Sequence, residues 1–108
     1  MITLCLALGF FSNAKSLPLH ELNLPDGFSI SIFAEVDNAR QMVRSENGVI
    51  YVGSRRAGNL YAVVDKDGDF RADRVITLDT DLSLPSGVTM RDGNLYVGAV
   101  DRILKYPN

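Results

Sequence analysis

Apolar and polar residues alternate strictly through Phe28-Ser-Ile-Ser-Ile-Phe33, the period-two pattern of a half-buried β-strand. Further short runs rich in β-branched and aromatic residues follow: Val49–Val52, Leu60–Val64, Val75–Leu78, Leu95–Val97 and Ile103–Tyr106. Turn signals separate them at Asn47-Gly48, Ala57-Gly58-Asn59, Asp67-Gly68 and Asp92-Gly93. Beyond the first residues, no stretch sustains a helical period. The pattern predicts an all-β domain over residues 28–108.

The order of these pieces repeats. Asn47-Gly48-Val-Ile-Tyr-Val-Gly53 matches Asp92-Gly93-Asn-Leu-Tyr-Val-Gly98, and Gly48 to Gly93 is 93 − 48 = 45 residues. The flanks align Met42-Val-Arg44 with Thr89-Met-Arg91, and a strand follows each copy. A period of about 40–50 residues with four short strands per unit is the signature of a β-propeller blade. One four-stranded sheet cannot bury both faces alone, so blades stack around a channel. The expected architecture is a partial β-propeller of about two four-stranded antiparallel blades, from a ring that typically has four to eight. Such a piece would be the N-terminal portion of a longer protein or a truncated product, with blade faces and edge strands left open. Tyr51, Tyr61 and Tyr96 recur with the repeat and are expected to pack between blades.

The first residues follow another rule. Ile2–Phe11 is a continuous apolar run, and Ser12-Asn13-Ala14 places small residues at the positions a signal peptidase reads. Residues 1–14 read as a secretory signal peptide and 15–27 as a linker, although no Lys or Arg precedes the run. A short buried strand or helix is the alternative. The run falls short of the roughly 20 apolar residues a membrane span needs. An exported chain would be periplasmic or secreted, with no membrane span after signal removal. Its one cysteine, Cys5, would leave with the signal, and disulfide or thiolate chemistry with it.

Charge excludes little more. Eleven Lys and Arg against 13 Asp and Glu give a net charge of −2, and the basic residues form no stripe of the kind nucleic acid requires. No nucleic-acid partner is expected.

Three stretches carry a family likeness: Leu24-Pro-Asp-Gly-Phe-Ser-Ile-Ser-Ile-Phe-Ala34, Asn38-Ala-Arg-Gln-Met42, and Tyr51-Val-Gly-Ser-Arg-Arg-Ala-Gly-Asn-Leu-Tyr-Ala-Val-Val-Asp-Lys-Asp-Gly-Asp69. With Leu84-Pro-Ser-Gly-Val88 and Leu95-Tyr-Val-Gly98 they resemble the sorbosone and glucose dehydrogenase family from about Leu24 onward. The resemblance implies a six-bladed propeller that uses pyrroloquinoline quinone, with calcium, to oxidise a sugar or an aldose-derived aldehyde or alcohol. It implies a small-molecule sugar substrate and an electron acceptor such as a cytochrome. The family's general base is a histidine in a later stretch. His20, the only histidine here, does not match that position, so this chain is expected to be an inactive part of an enzyme. A non-catalytic propeller scaffold and a calcium-dependent lactonase-type hydrolase share the fold and stand as alternatives.

Two sets of residues are candidates for chemistry. Arg55 and Arg56 follow a strand end, where an arginine pair can hold an anionic cofactor by charge-assisted hydrogen bonds; a solvated turn closed by Ala57-Gly58-Asn59 is the competing reading. Arg40 and Gln41 lead into the strand nearest the expected channel, and Leu84-Pro85-Ser86-Gly87 holds the equivalent place one blade later. Arg40 can touch a ligand there or pair with a neighbouring blade. The resemblance implies a polar contact from the second of these segments, where Pro85 or Ser86 stands.

The second set is Asp65, Asp67, Asp69 and Asp73, at places one, three, five and nine of a calcium-loop count. Phe70 holds place six, where an EF-hand has Gly, and Ile76 holds place twelve, where it has Glu. No helix flanks the loop. A shorter calcium loop and a plain hairpin from Leu60–Val64 to Val75–Leu78 are both open, with Lys66, Arg71 and Arg74 relieving the carboxylate repulsion. The repeat puts this stretch after the last strand of one blade and before the first strand of the next.

Overall fold

The structure is a computed structural model, and it describes residues 17–108. The signal-peptide reading and Cys5 lie outside the described residues. The chain divides into two units, Met1–Ser31 and Ile32–Asn108.

Over residues 17–31 of the first unit, one turn of 3-10 helix at Leu19–Glu21 interrupts an otherwise irregular, largely exposed segment. Phe28 is 72% exposed and forms no ladder. The strand expected over Phe28–Phe33 is therefore absent. Alternation makes a segment amphipathic when extended, but a strand also needs a partner for its backbone groups. No strand among the described residues pairs with it.

The second unit holds seven strands in two antiparallel sheets. The first has the order β1 (Gln41–Arg44), β2 (Ile50–Gly53), β3 (Leu60–Val64) and β4 (Arg74–Asp79). The second has β5 (Gly87–Arg91), β6 (Asn94–Gly98) and β7 (Ile103–Tyr106). Neighbours in sequence are neighbours in space, so each sheet is a meander set by its turns. Asp92 and Gly93 both have positive φ, 50° and 77°, as a two-residue primed turn requires. The second sheet has three strands, not the four expected of a blade.

The register refines the repeat. Val43 pairs with Tyr51, and Thr89 pairs with Tyr96. Val43 is thus the counterpart of Thr89, and the Met42-to-Thr89 alignment is off by one. The turn between β1 and β2 is longer than the Asp92-Gly93 turn, and it absorbs the difference.

Period two decides what each face buries. Leu60, Leu95 and Val97 form a buried cluster between the sheets, flanked by Val43, Tyr51, Val88, Met90, Leu104 and Tyr106. β1 and β2 lie against β5 there. On the other face of the first sheet, Val52, Tyr61 and Val63 form a second buried cluster, covered by Phe33, Ala34, Val36 and Ala72. The Ala72 N–H donates to the Phe33 carbonyl at 2.8 Å and pins that cover in place. Each buried Leu or Val side chain is worth about 1.5–3 kcal/mol relative to exposure. The tyrosines divide accordingly. Tyr51 packs between the sheets as expected. Tyr61 lies on the opposite face, and Tyr96 pairs with Thr89 and Lys105 on the far face of the second sheet. Neither of these two packs between the sheets, because each sits one residue out of phase with the inner face.

Candidate functional site

Backbone hydrogen bonds gather the cofactor candidates at one corner of the sheets. The Arg40 N–H donates to the Gly53 carbonyl at 2.8 Å, and the Ser86 N–H donates to the Gly98 carbonyl at 3.2 Å. Gly53 and Gly98 are counterparts, so the two segments hold equivalent places, as their sequence positions predicted. Each begins with a residue at positive φ, Asn38 at 52° and Leu84 at 48°. The Asn38 side-chain oxygen accepts the Arg56 N–H at 2.9 Å, and the Arg55 N–H donates to the Pro85 carbonyl at 2.9 Å. One corner therefore carries Arg40, Arg55, Arg56 and Ser86, with Gln41 beside Gly87.

The arginines at this corner are exposed and enter none of the ion pairs found among the described residues. Arg55 and Arg56 lie on a 3-10 turn, Arg55–Ala57, closed by Gly58 in the left-handed region. The turn reading is correct for the backbone, and both guanidinium groups remain available above it. Ser86 donates its hydroxyl to the Leu84 carbonyl at 3.2 Å, which orients it locally. Ser54, which the sequence did not single out, braces the turn from inside. It is fully buried, donates to the Asn59 carbonyl at 2.7 Å and accepts the Asn59 N–H at 2.8 Å. A Ser just before an Arg-Arg-Ala-Gly turn was its only signal.

Gln41 also borders a shallow groove of about 680 Å³ on the far face of the second sheet, lined by Thr89, Tyr96, Gly98 and Ile103. The other four candidates do not line it.

The aspartate loop joins β3 to β4, which pair directly, so it lies within a sheet and not between two. The blade-to-blade placement is corrected, and the hairpin from Leu60–Val64 to Val75–Leu78 is the reading that holds. Carboxylate oxygens of Asp65, Asp67 and Asp73 lie within 4.8 Å of one another. Asp69 stands apart from that set and accepts the Arg71 N–H at 2.8 Å. The loop is also closed by its own backbone. Asp65 accepts the N–H groups of Gly68 at 2.9 Å and Phe70 at 3.1 Å, and Asp73 accepts that of Lys66. Phe70 has φ 65°, the left-handed geometry for which a calcium loop uses Gly at the same place. The missing glycine is thus a change of residue without a change of conformation.

Charge crowding shows in Asp67. The Asp69 N–H bond draws its pKa down. Desolvation, the Asp65 side chain and the charges of Asp69 and Asp73 together outweigh that and push it above the ordinary value. A cation here would favour all three charged carboxylates, so the donor set suits a hard ion such as calcium.

His20 lies in the first unit, its side chain 84% exposed and 3.9 Å from Glu21. Nothing there equips it as a base. No helix among the described residues is long and apolar enough to cross a membrane. No protein-family model, no curated protein and no solved structure matches the chain.

Proposed function

We propose that the two sheets are consecutive blades of a β-propeller, and that the chain is the N-terminal part of an exported quinoprotein that oxidises a sugar or an aldose-derived aldehyde or alcohol. The observation that carries this reading is the cationic corner. Arg40 and the Arg55-Arg56 pair come from two backbone segments fixed by Asn38, Gly53 and Pro85, and no carboxylate pairs with them among the described residues. Guanidinium groups match carboxylates in charge and in fork geometry, so this set fits the carboxylates of pyrroloquinoline quinone. Gln41 and Ser86 add neutral donors beside them. Bound, the quinone would supply a two-electron acceptor for substrate oxidation. The chain's own residues would hold and orient it. The general base lies outside this chain on this reading, as does a docking site for an electron acceptor such as a cytochrome. Calcium at Asp65, Asp67 and Asp73 would brace the β3–β4 connection, a structural role away from the corner.

The test is direct titration of the 108-residue chain with pyrroloquinoline quinone, followed by the quinone's absorbance. Saturable binding that weakens about tenfold or more in Arg55→Ala or Arg56→Ala supports the reading, since a charge-assisted hydrogen bond is worth about 1.5–3 kcal/mol. Absence of saturable binding, or binding indifferent to every arginine, removes the cofactor assignment and leaves the non-catalytic scaffold. In a chain carrying later blades, sugar should reduce an artificial dye only with quinone and calcium added. Lactone hydrolysis with calcium alone would favour the hydrolase.

A further inference from the structure

The far face of the second sheet is open, and the repeat specifies its counterpart. Gly53 and Gly98 are 98 − 53 = 45 residues apart. In the ladder register, Gly53 sits opposite Leu60 and Gly98 opposite Ile103; Tyr51 sits opposite Ala62 and Tyr96 opposite Lys105. The face of the first sheet that bears Tyr51, Gly53 and Leu60 is therefore equivalent to the face of the second that bears Tyr96, Gly98 and Ile103. The first of these faces is covered by the second sheet.

The contact has a specific key. A Cβ built on Gly53 would fall 2.8 Å from the Pro85 carbonyl oxygen and 2.9 Å from that of Ser86. Only glycine lets the segment entering β5 lie so close. The same Cβ at Gly98 would meet nothing nearer than the Gly87 carbonyl oxygen at 3.9 Å. Gly98 also has no positive φ that would call for glycine. Glycine in a strand is unfavourable by roughly 0.5–1 kcal/mol relative to Ala, and within this chain nothing at Gly98 compensates. Beside it, Leu60 is fully buried, while Ile103 is 78% exposed.

We infer that the far face of the second sheet is the seat for a third sheet of the same repeat, keyed at Gly98 by the backbone carbonyls that enter that sheet's first strand. Ile103 then fills the place that Leu60 fills between the first two sheets. The kind of partner is fixed by the contact it must copy. It is a short antiparallel sheet with a Leu/Val inner face, led in by a Leu-Pro-Ser-Gly-like segment whose carbonyls point at the glycine. The first sheet cannot play this part for another copy as it stands, because Phe33, Ala34 and Val36 cover the face it would use. This inference rests on the blade reading above, and not on the cofactor.

The experiment extends the full chain by a second copy of its residues 80–108 after Asn108. The copy carries its own Pro85-Ser86 segment and its own Leu95 and Val97. Ile103→Cys on a Cys5→Ser background reports burial of the seat by its rate of thiol labelling. A parallel extended chain carries Lys105→Ala in the receiving sheet, which restores the Ala found at the counterpart position 62. Labelling that slows about tenfold or more in either extended chain, and recovers on adding Gly98→Ala, supports the inference. Labelling as fast as in the unextended chain in both overturns it. So does protection that persists with Gly98→Ala, since the sheet would then sit elsewhere. Gly53→Ala in the unextended chain separates the two levels. An unchanged urea midpoint there would sink the blade stacking itself. A lowered midpoint with no protection of position 103 would sink the third-sheet inference alone.

Discussion

The two sheets come from one repeat, yet one buries both faces and the other buries one. The first sheet has a cluster of Val52, Tyr61 and Val63 on one side and Leu60 on the other. The second has Leu95 and Val97 on its inner side and, opposite them, Tyr96, Gly98 and Ile103 toward the groove. What differs is the neighbourhood and not the strand chemistry. A residue's contribution is set by what covers its face, so counterpart positions carry different energies.

Substitutions at counterpart positions should expose that difference, most strongly at Leu60. Leu60→Ala should lose about 2–5 kcal/mol in urea unfolding, the range for truncating a buried Leu. Ile103→Ala should stay within about 0.5 kcal/mol, as for an exposed site. Comparable losses would mean that Ile103 is buried in solution.

A smaller effect should come from the bond that ties the sheets across their seam. The Tyr106 hydroxyl donates to Asp79 at 2.6 Å, linking β7 to β4. Partial burial raises the Tyr106 pKa to about 12 from 10.0, with the bond to Asp79 and its charge pushing the same way and Arg102 opposing. The Tyr106 bond, then the Thr80 N–H, holds Asp79 below its ordinary 3.8. The signs differ. Asp79 is depressed, so its contribution is present above about pH 4 and is lost as pH falls through its folded pKa. Tyr106 is raised, so its contribution is present below pH 10 and is lost as pH rises toward 12. Tyr106→Phe should lower the melting temperature near neutral pH. It should also remove the decline between pH 10 and 12 and flatten the acid limb. A variant whose pH profile matches the parent's would show that the seam bond does not form.

The smallest effect is expected in the aspartate loop. Phe70 is 76% exposed at positive φ, so Phe70→Gly gives up little burial while removing left-handed strain. The gain should stay within about 1 kcal/mol, because glycine's own entropy offsets part of it. With the loop intact, millimolar calcium should raise the melting temperature, and Asp73→Asn should abolish that rise. No calcium response in either protein would leave the hairpin's own hydrogen bonds as the full explanation of the aspartates.

Much of this contrast was legible in the sequence, and its limits have physical causes. β2, β3, β4, β6 and β7 announced themselves through β-branched and aromatic runs between Gly-containing turns. β1 and β5 are short, mixed in polarity and led by Gln41 and Gly87, so they registered as flanks. Phe28–Phe33 carried the clearest alternation and forms no strand, because a pattern reports amphipathicity and pairing needs a partner. The cationic corner was named residue by residue, yet its geometry was not readable. It turns on Asn38 and Leu84 at positive φ, and neither is the glycine that would have signalled it. The four aspartates were visible, and the Asp67-Gly68 turn signal offered the β3–β4 hairpin that forms. The placement between blades failed because the 45-residue match covers only β2 and β6 with their flanks and carries no signal for β4.

The most direct test of stacking by repeat is equilibrium urea unfolding of Gly53→Ala beside Gly98→Ala. The added methyl at Gly53 meets two backbone carbonyls at 2.8 and 2.9 Å, and at Gly98 it meets only the Gly87 carbonyl oxygen at 3.9 Å, an ordinary contact. A loss of about 1–3 kcal/mol at Gly53, with a change within about 1 kcal/mol and toward greater stability at Gly98, is the predicted result. Equal losses at the two glycines, or none at Gly53, would contradict it.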